Sequence, residues 1–151
     1  MFAIFGPNSY WLWEVAGLLI IPALVLLNGL FVAAEFSLVS VRKTRIEELI
    51  KRGVKGARSV ELAMHRLDRS IAATQLGITL ASIGLGCVGE PVLADVIEPL
   101  VEYLPSDWQA VAKHSLATPL AFLLITYLHV VFGELIPKTL ALETADRTAL
   151  W

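Results

Sequence analysis

Residues 130–141 read VVFGELIPKTLA. A carboxylate, Glu134, follows Gly133 at the end of a long apolar run, and Pro137 and Lys138 come just after it. Proline has no N–H, so Pro137 cannot donate to the carbonyl four residues back, which belongs to Gly133. The pattern therefore sets an unpaired carbonyl beside a carboxylate. Both are oxygen ligands of the kind a hard cation such as Mg²⁺ takes. A charge in apolar surroundings is costly unless it is paired, hydrated or metal-bound. The plainer alternative is a Glu134–Lys138 pair at i, i+4 marking the membrane edge.

Other oxygen-bearing side chains lie in apolar company. Asn28, within LLNGLF, puts an amide and a glycine inside an earlier run. Gln75, Thr79 and Ser82 fall at i, i+4 and i+7 near one helical face. Polar groups in a bilayer find partners or line a cavity. Ala73, Gly77 and Ala81 recur every four residues, with Gly84 one turn on. Such a seam of small residues lets helices approach closely, and packing alone is an equally good account of it. Glu35 ends the first run and is expected to pair with a Lys or Arg of VRKTR. Glu14 and Glu90 are placed at the outer interface. Ser37 and Ser40 are expected to cap or back-bond a helix end. His129 is read as a packing residue, and Cys87 as a small apolar one. Gly84, Gly86 and Gly89 ahead of Pro91 are expected to loosen or bend their helix.

These residues need helices in a membrane to position them. The chain is 56% hydrophobic and 17% charged, with mean hydropathy +0.69. An ordinary soluble domain is about 25% charged. Residues 10–34, 70–94 and 115–136 are apolar runs long enough for the roughly 20 residues that a bilayer requires. The first is not a signal peptide, because no Lys or Arg precedes it. The fold class is all-α integral membrane, with three spans and amphipathic juxtamembrane helices.

Nine of the twelve Lys and Arg lie in 42–69: Arg42, Lys43, Arg45, Lys51, Arg52, Lys55, Arg58, Arg66 and Arg69. The 95–114 loop carries Asp95, Glu98, Glu102 and Asp107 against Lys113. The positive-inside rule puts 42–69 in the cytoplasm and the N-terminus outside, at the cell membrane. Tyr10, Trp11, Trp13 and Trp108 suit interfacial anchoring. Apolar residues from Ile46 to Leu67 recur at helical spacings, interrupted around Gly53 and Gly56. They predict a cytoplasmic helix whose basic face suits anionic lipid. SDWQ, 106–109, reads as a capping box.

One cysteine allows neither an internal disulfide nor a cysteine metal cluster. The basic block lacks interleaved aromatics, so no nucleic-acid partner is expected. No HExxH and no GxSxG motif occurs, and an enzyme is not expected. Thiolate or clustered His ligands for zinc are missing too.

LNGLFVAAEFSLVSVRKTRIEELI, ATQLGITLASIGLGCVGEPVLA and VFGELIPKTLALETADRTAL, in that order, resemble the CorC/cyclin-M family of magnesium transporters. Bacterial members are also called HlyC/CorC-type or hemolysin-like. The likeness runs from about residue 20 to 151. It implies a three-helix membrane domain with a juxtamembrane helix from about residue 138, working as a homodimer in the lipid bilayer. It also implies a longer protein, carrying cytoplasmic CBS domains that this chain does not include. The implied activity is Mg²⁺ efflux in exchange for Na⁺. The implied ion site uses Glu134 and Gly133 of the GE-x-x-P-K motif and polar residues of the first two helices, with Asn28 at a matching position. Val32 stands where relatives often have Ser. Ile78 and Ser82 stand where many members have two amides. These departures leave open a site rearranged onto Thr79, Ser82 and Gln75, a different ion, or a subfamily that does not transport Mg²⁺. The rival reading is a membrane anchor or sensor that dimerises and tethers regulatory domains. A membrane-damaging hemolysin is a third, disfavoured because nothing resembles a secreted toxin.

Overall fold

The computed structural model describes residues 10–101 and 117–150, with side chains over 15–98 and 118–150. The Tyr10–Trp13 anchor and Glu14 side chains, Trp108 and the SDWQ segment lie outside the described side chains.

Three long helical runs carry the apolar sequence. Helix α1 is Tyr10–Ser40, α4 is Leu67–Val101, and the third run comprises α5 (Ala117–Leu128), a π-helical segment (His129–Leu135) and α6 (Ile136–Glu143). Stretches Val15–Ser40, Leu67–Glu98 and Thr118–Glu143 are long and apolar enough to cross a membrane. They reach several residues past the inner boundaries expected at 34, 70 and 136. Ser, Thr and Glu near those edges extend a helix without adding hydropathy, so hydropathy alone stops short. Leu19, Leu26 and Leu30 are each 67–68% exposed, an arrangement suited to acyl chains rather than water. No strand occurs among the described residues. The molecule is an all-α membrane protein.

Glycine and proline are accommodated within two of the long helices. α4 passes Gly84, Gly86, Gly89 and Pro91 without a break. α1 likewise contains Pro22. Proline is tolerated in membrane helices because its neighbours can re-satisfy the freed group.

The chain forms two compact units, residues 1–25 with 82–129 and residues 26–81 with 130–151. The first is held by Ile21, Val25, Leu85, Leu93, Ala121 and Ile125, all buried. Glycines set its helix approaches: a Cβ on Gly17 would strike Val92, and one on Gly89 would strike Ile125 at 2.7 Å. Gly84 meets Leu24 at an ordinary 3.5 Å.

The second unit contains a short helical hairpin, α2 (Lys43–Lys51) and α3 (Ala57–His65). Its sequence explains the turn. Gly53 N–H bonds Ile50 C=O and Val54 N–H bonds Leu49 C=O, the paired bonds of a glycine-terminated helix. Gly53 (φ 73°) and Gly56 (φ 87°) both take left-handed backbone that a side chain would strain. Ile46, Leu49, Ala57 and Val60 form the hairpin's core with Val41. Ala145, Ala149 and Leu150 pack against it. Of these, Ala145 lies in α7 (Ala145–Thr148). Leu62, expected on the apolar face, is 56% exposed. Arg45 ties α2 to α7: its Nε lies 3.2 Å from Asp146 and its Nη1 2.7 Å from Glu48. Arg52 also bonds Glu48.

Of the small-residue seam, Gly77 and Ala81 are buried, whereas Ala73 is exposed and off the contact. A Cβ on Gly77 would lie 2.6 Å from the Phe31 ring. Gly77→Ala should therefore lower stability by about 1–3 kcal/mol through overpacking. Gly86, with nothing within 4 Å of its would-be Cβ, is the control. Gly86→Ala should leave the thermal midpoint in detergent unchanged or slightly higher.

Glu48 supplies a pH prediction. Its hydrogen bond to Arg45, then the charge of Arg52, hold its carboxyl below the ordinary 4.5. A carboxyl with depressed folded pKa stabilises the fold above its unfolded pKa. That contribution disappears as pH falls through the lower folded value. Below about pH 4.5, wild-type stability should therefore drop more steeply than that of Glu48→Gln, and the two unfolding curves should converge.

Candidate ion site

Pro137 fixes the local geometry of the third helical run. It lies at the second position of α6, where a missing N–H does no harm. In an uninterrupted α-helix its ring would press on the Gly133 carbonyl. The seven residues before α6 instead form the π-helical segment His129–Leu135. Such wide turns are uncommon and recur at functional sites. Gly133 and Glu134 are in this segment.

The Gly133 carbonyl has a side-chain partner. Asn28 Nδ2 donates to Gly133 O at 2.8 Å. Asn28 is 1% exposed and Gly133 is buried. The expectation of an open carbonyl is thus corrected, because burial makes an unbonded carbonyl costly and an amide lies within reach. The adjacent Gly29 makes that reach possible. A Cβ there would lie 2.9 Å from Pro137 Cγ and 3.4 Å from Phe132 O. The Asn-Gly pair of α1 therefore seats directly on the Gly-Glu-x-x-Pro stretch.

Glu134 itself is exposed on the surface of the chain. Lys138 makes no ion pair with it. Its Nζ sits 4.5 Å from the centroid of Phe36, a cation–π contact. Glu35 also differs from expectation: it forms no ion pair with VRKTR among the described residues. Thr74 Oγ1 lies 3.3 Å from Glu35 Oε2 and 2.9 Å from Ile71 O. The reason is direction. Arg42 is extended, so the chain turns into α2, and Arg45 is engaged by Glu48 and Asp146.

The hydroxyl face of α4 divides. Gln75 and Thr79 are exposed, and Thr79 Oγ1 bonds back to Gln75 O at 2.8 Å. Ser82 Oγ, in the first unit, lies 3.2 Å from His129 Nε2. This contact satisfies His129, as expected of a packing histidine, though its sequence context names no partner. Ser37 is fully buried and donates to Ala34 O, the expected back-bond. No group of three or more His, Cys, Asp or Glu side chains comes together among the described residues. The oxygen-bearing groups of the second unit nearest this contact are the Glu134 carboxylate, the Gly133 carbonyl and the Asn28 amide, the last two already bonded to each other. A carboxylate, a peptide carbonyl and an amide together suit a hard cation.

Comparison with known proteins follows the same residues. Residues 19–151 match the family model described as the cyclin M transmembrane N-terminal domain. The UPF0053 protein YhdT of Bacillus subtilis is 42% identical over 137 residues, 91% of this chain and 29% of YhdT. YrkA of the same organism is 40% identical over 133 residues, 88% of this chain and 30% of YrkA. The UPF0053 protein MT1890 of Mycobacterium tuberculosis is 39% identical over 136 residues, 89% of this chain and 29% of MT1890. The chain thus spans under a third of the length of these relatives.

The Glu35–Thr74 contact is directly testable. Thr74→Val removes the hydroxyl from a half-buried carboxylate and should lower unfolding free energy by about 1 kcal/mol. Denaturant titration in detergent would measure it. An unchanged midpoint would show that the contact does not support the fold.

Proposed function

The chain belongs to the cyclin M transmembrane-domain family, and we propose that it is the ion-conducting part of a cation transporter. The cargo we favour is Mg²⁺, moved outward, with Na⁺ as the exchanged ion. One observation carries this reading: the π-helical segment sets the Glu134 carboxylate next to the buried Gly133 carbonyl, on which the Asn28 amide of the first span closes. A carboxylate and neutral oxygens match a small divalent cation better than they match any nucleophilic or acid–base chemistry. The chain is therefore read as a transporter rather than an enzyme.

The remaining proposals follow from membrane physics. Glu134, Gln75 and Thr79 are exposed on the second unit. Acyl chains solvate such groups poorly. A second copy of the chain, facing these residues, would shelter them, which supports a homodimer. The basic 42–69 hairpin supports a cytoplasmic position for it at the cell membrane, with the N-terminus outside. The family likeness supports CBS domains elsewhere in a longer protein.

The anchor-and-sensor reading keeps one specific support. The Gly133 carbonyl is engaged by Asn28, Thr79 bonds its own helix, and Ile78 replaces a family amide. A non-transporting domain would have that arrangement permanently.

Thermal unfolding of the purified chain across a Mg²⁺ series separates the two. A ligand that binds only the folded state adds about 2.7 kcal/mol at a hundred times its dissociation constant. Transport predicts a saturable rise in midpoint that is lost in Glu134→Ala. A flat response, or the same response in both proteins, favours the anchor.

A further inference from the structure

We propose that the turn of the α2–α3 hairpin is a docking surface for anionic membrane lipid, with Lys51, Lys55 and Arg58 as the headgroup contacts. The inference rests on the cytoplasmic placement of residues 42–69 and not on which ion is carried.

The apolar side of the hairpin is the starting point. An amphipathic helix that lies on a membrane buries its apolar face among the lipids. Here that face is already filled by protein. Ile46, Leu49, Ala57 and Val60 are buried with Val41, and Ala145, Ala149 and Leu150 pack on them. What the hairpin offers outward is charge. Residues 49–60, LIKRGVKGARSV, contain four cations and no Asp or Glu. Lys51, Arg52, Lys55 and Arg58 are all exposed. Arg52 is bonded to Glu48. The other three take part in none of the ion pairs among the described residues. The acidic side chains Glu47 and Glu61 line a cleft between α2 and α3 with Lys43 and His65, so their charge acts there. The basic face expected along a whole helix is thereby narrowed to the turn.

Distance favours a lipid partner. Only residues 41 and 42 separate α1 from α2, and only Arg66 separates α3 from α4. A nine-residue helix is about 13 Å long. The turn therefore stays within roughly two Debye lengths of the span ends, whatever the tilt of the hairpin. The cytoplasmic leaflet is anionic, and each Lys or Arg held near it strengthens binding about fivefold. Three such groups give about a hundredfold together. Val54, at the turn, is 37% exposed, and Leu62 is exposed one helical turn after Arg58. They add small apolar contacts beside the cations, too few to hold the hairpin without them. The same turn backs onto the segment after the third helical run: a Cβ on Gly56 would lie 3.1 Å from Leu150 O. Lipid held at the turn steadies that segment as well.

A fluorophore beside Arg58 tests the docking. Ser59 is exposed, and Cys87 is the one cysteine. Ser59→Cys in a Cys87→Ala background gives the full chain a single labelling site for an environment-sensitive dye. The labelled chain is placed in nanodiscs of phosphatidylcholine, alone or mixed with phosphatidylglycerol. The dye should brighten and shift to the blue in the anionic discs. Molar salt, which shortens the Debye length to about 3 Å, should reverse the change. Lys51→Ala, Lys55→Ala and Arg58→Ala combined should abolish it and leave the thermal midpoint in detergent unchanged. Titration of short-chain phosphatidylglycerol into the detergent-solubilised chain gives an affinity, which each single substitution should weaken about fivefold.

A dye response that the triple variant keeps overturns the proposal. So does an equal response in both kinds of disc, which is the mark of apolar insertion. A response to soluble polyglutamate without one to phosphatidylglycerol also overturns it, and assigns the turn to an acidic protein segment. A membrane-impermeant thiol reagent separates placement from docking. Reaction of Ser59→Cys from outside intact cells overturns the placement and the inference together. Reaction only after the cells are opened, with no response to phosphatidylglycerol, overturns the inference alone.

Discussion

A carbonyl that must be satisfied inside a membrane helix governs this structure. Water is scarce there, so every peptide group needs a protein partner. Pro137 breaks the usual arrangement at Gly133, and three local features answer it. The third helical run widens into a π turn. Gly29 gives α1 room to approach Pro137. Asn28 then donates to the same carbonyl from α1. None of the three works alone: without Gly29, a Cβ would meet Pro137, and the amide one residue away would be held off.

The same economy of space recurs wherever helices meet. Gly77 receives the edge of Phe31, and Gly89 receives Ile125. Between apolar helices in lipid, close packing and hydrogen bonds replace the hydrophobic effect as the cause of association. That is why glycines sit where helices touch, while many large apolar side chains, Leu19, Leu26 and Leu30 among them, face outward. Outside the membrane the balance reverses. The α2–α3 hairpin buries Ile46, Leu49 and Val60, and its outer surface carries the arginines and lysines. Arg45, bonded to Glu48 and Asp146, joins two segments distant in sequence without entering the core.

Much of this was legible in the residues, and the part that was not has a common cause. Run length and hydropathy announced the three spans. Gly53 and Gly56 announced a break in the cytoplasmic helix, because positive φ selects glycine, but not the hairpin that the break makes. Glu134, Pro137 and Asn28 were each conspicuous as polar or helix-breaking groups in apolar runs. Their pairing was not legible, because it depends on how each helix is rotated about its axis. One step in that rotation turns a residue by about 100°. Thus Glu35 was assigned to nearby cations and meets Thr74 instead. Lys138, whose pairing with Glu134 is the plainer alternative, lies over Phe36. His129, expected as a satisfied packing residue, is satisfied by Ser82, a partner that its spacing does not name. The π turn has the same character. Gly133 and Pro137 permit it, yet no spacing in VVFGELIP requires it.

The peptide at 133–134 faces two ways, and this sets what any ion must do. Gly133 is buried with its carbonyl on Asn28, whereas the next side chain, Glu134, emerges on the surface of the chain. In lipid a bare surface carboxylate is unfavourable, so Glu134 requires water, a neighbouring polar surface or a cation. A cation that engages Glu134 alone has one strong ligand and must keep much of its hydration.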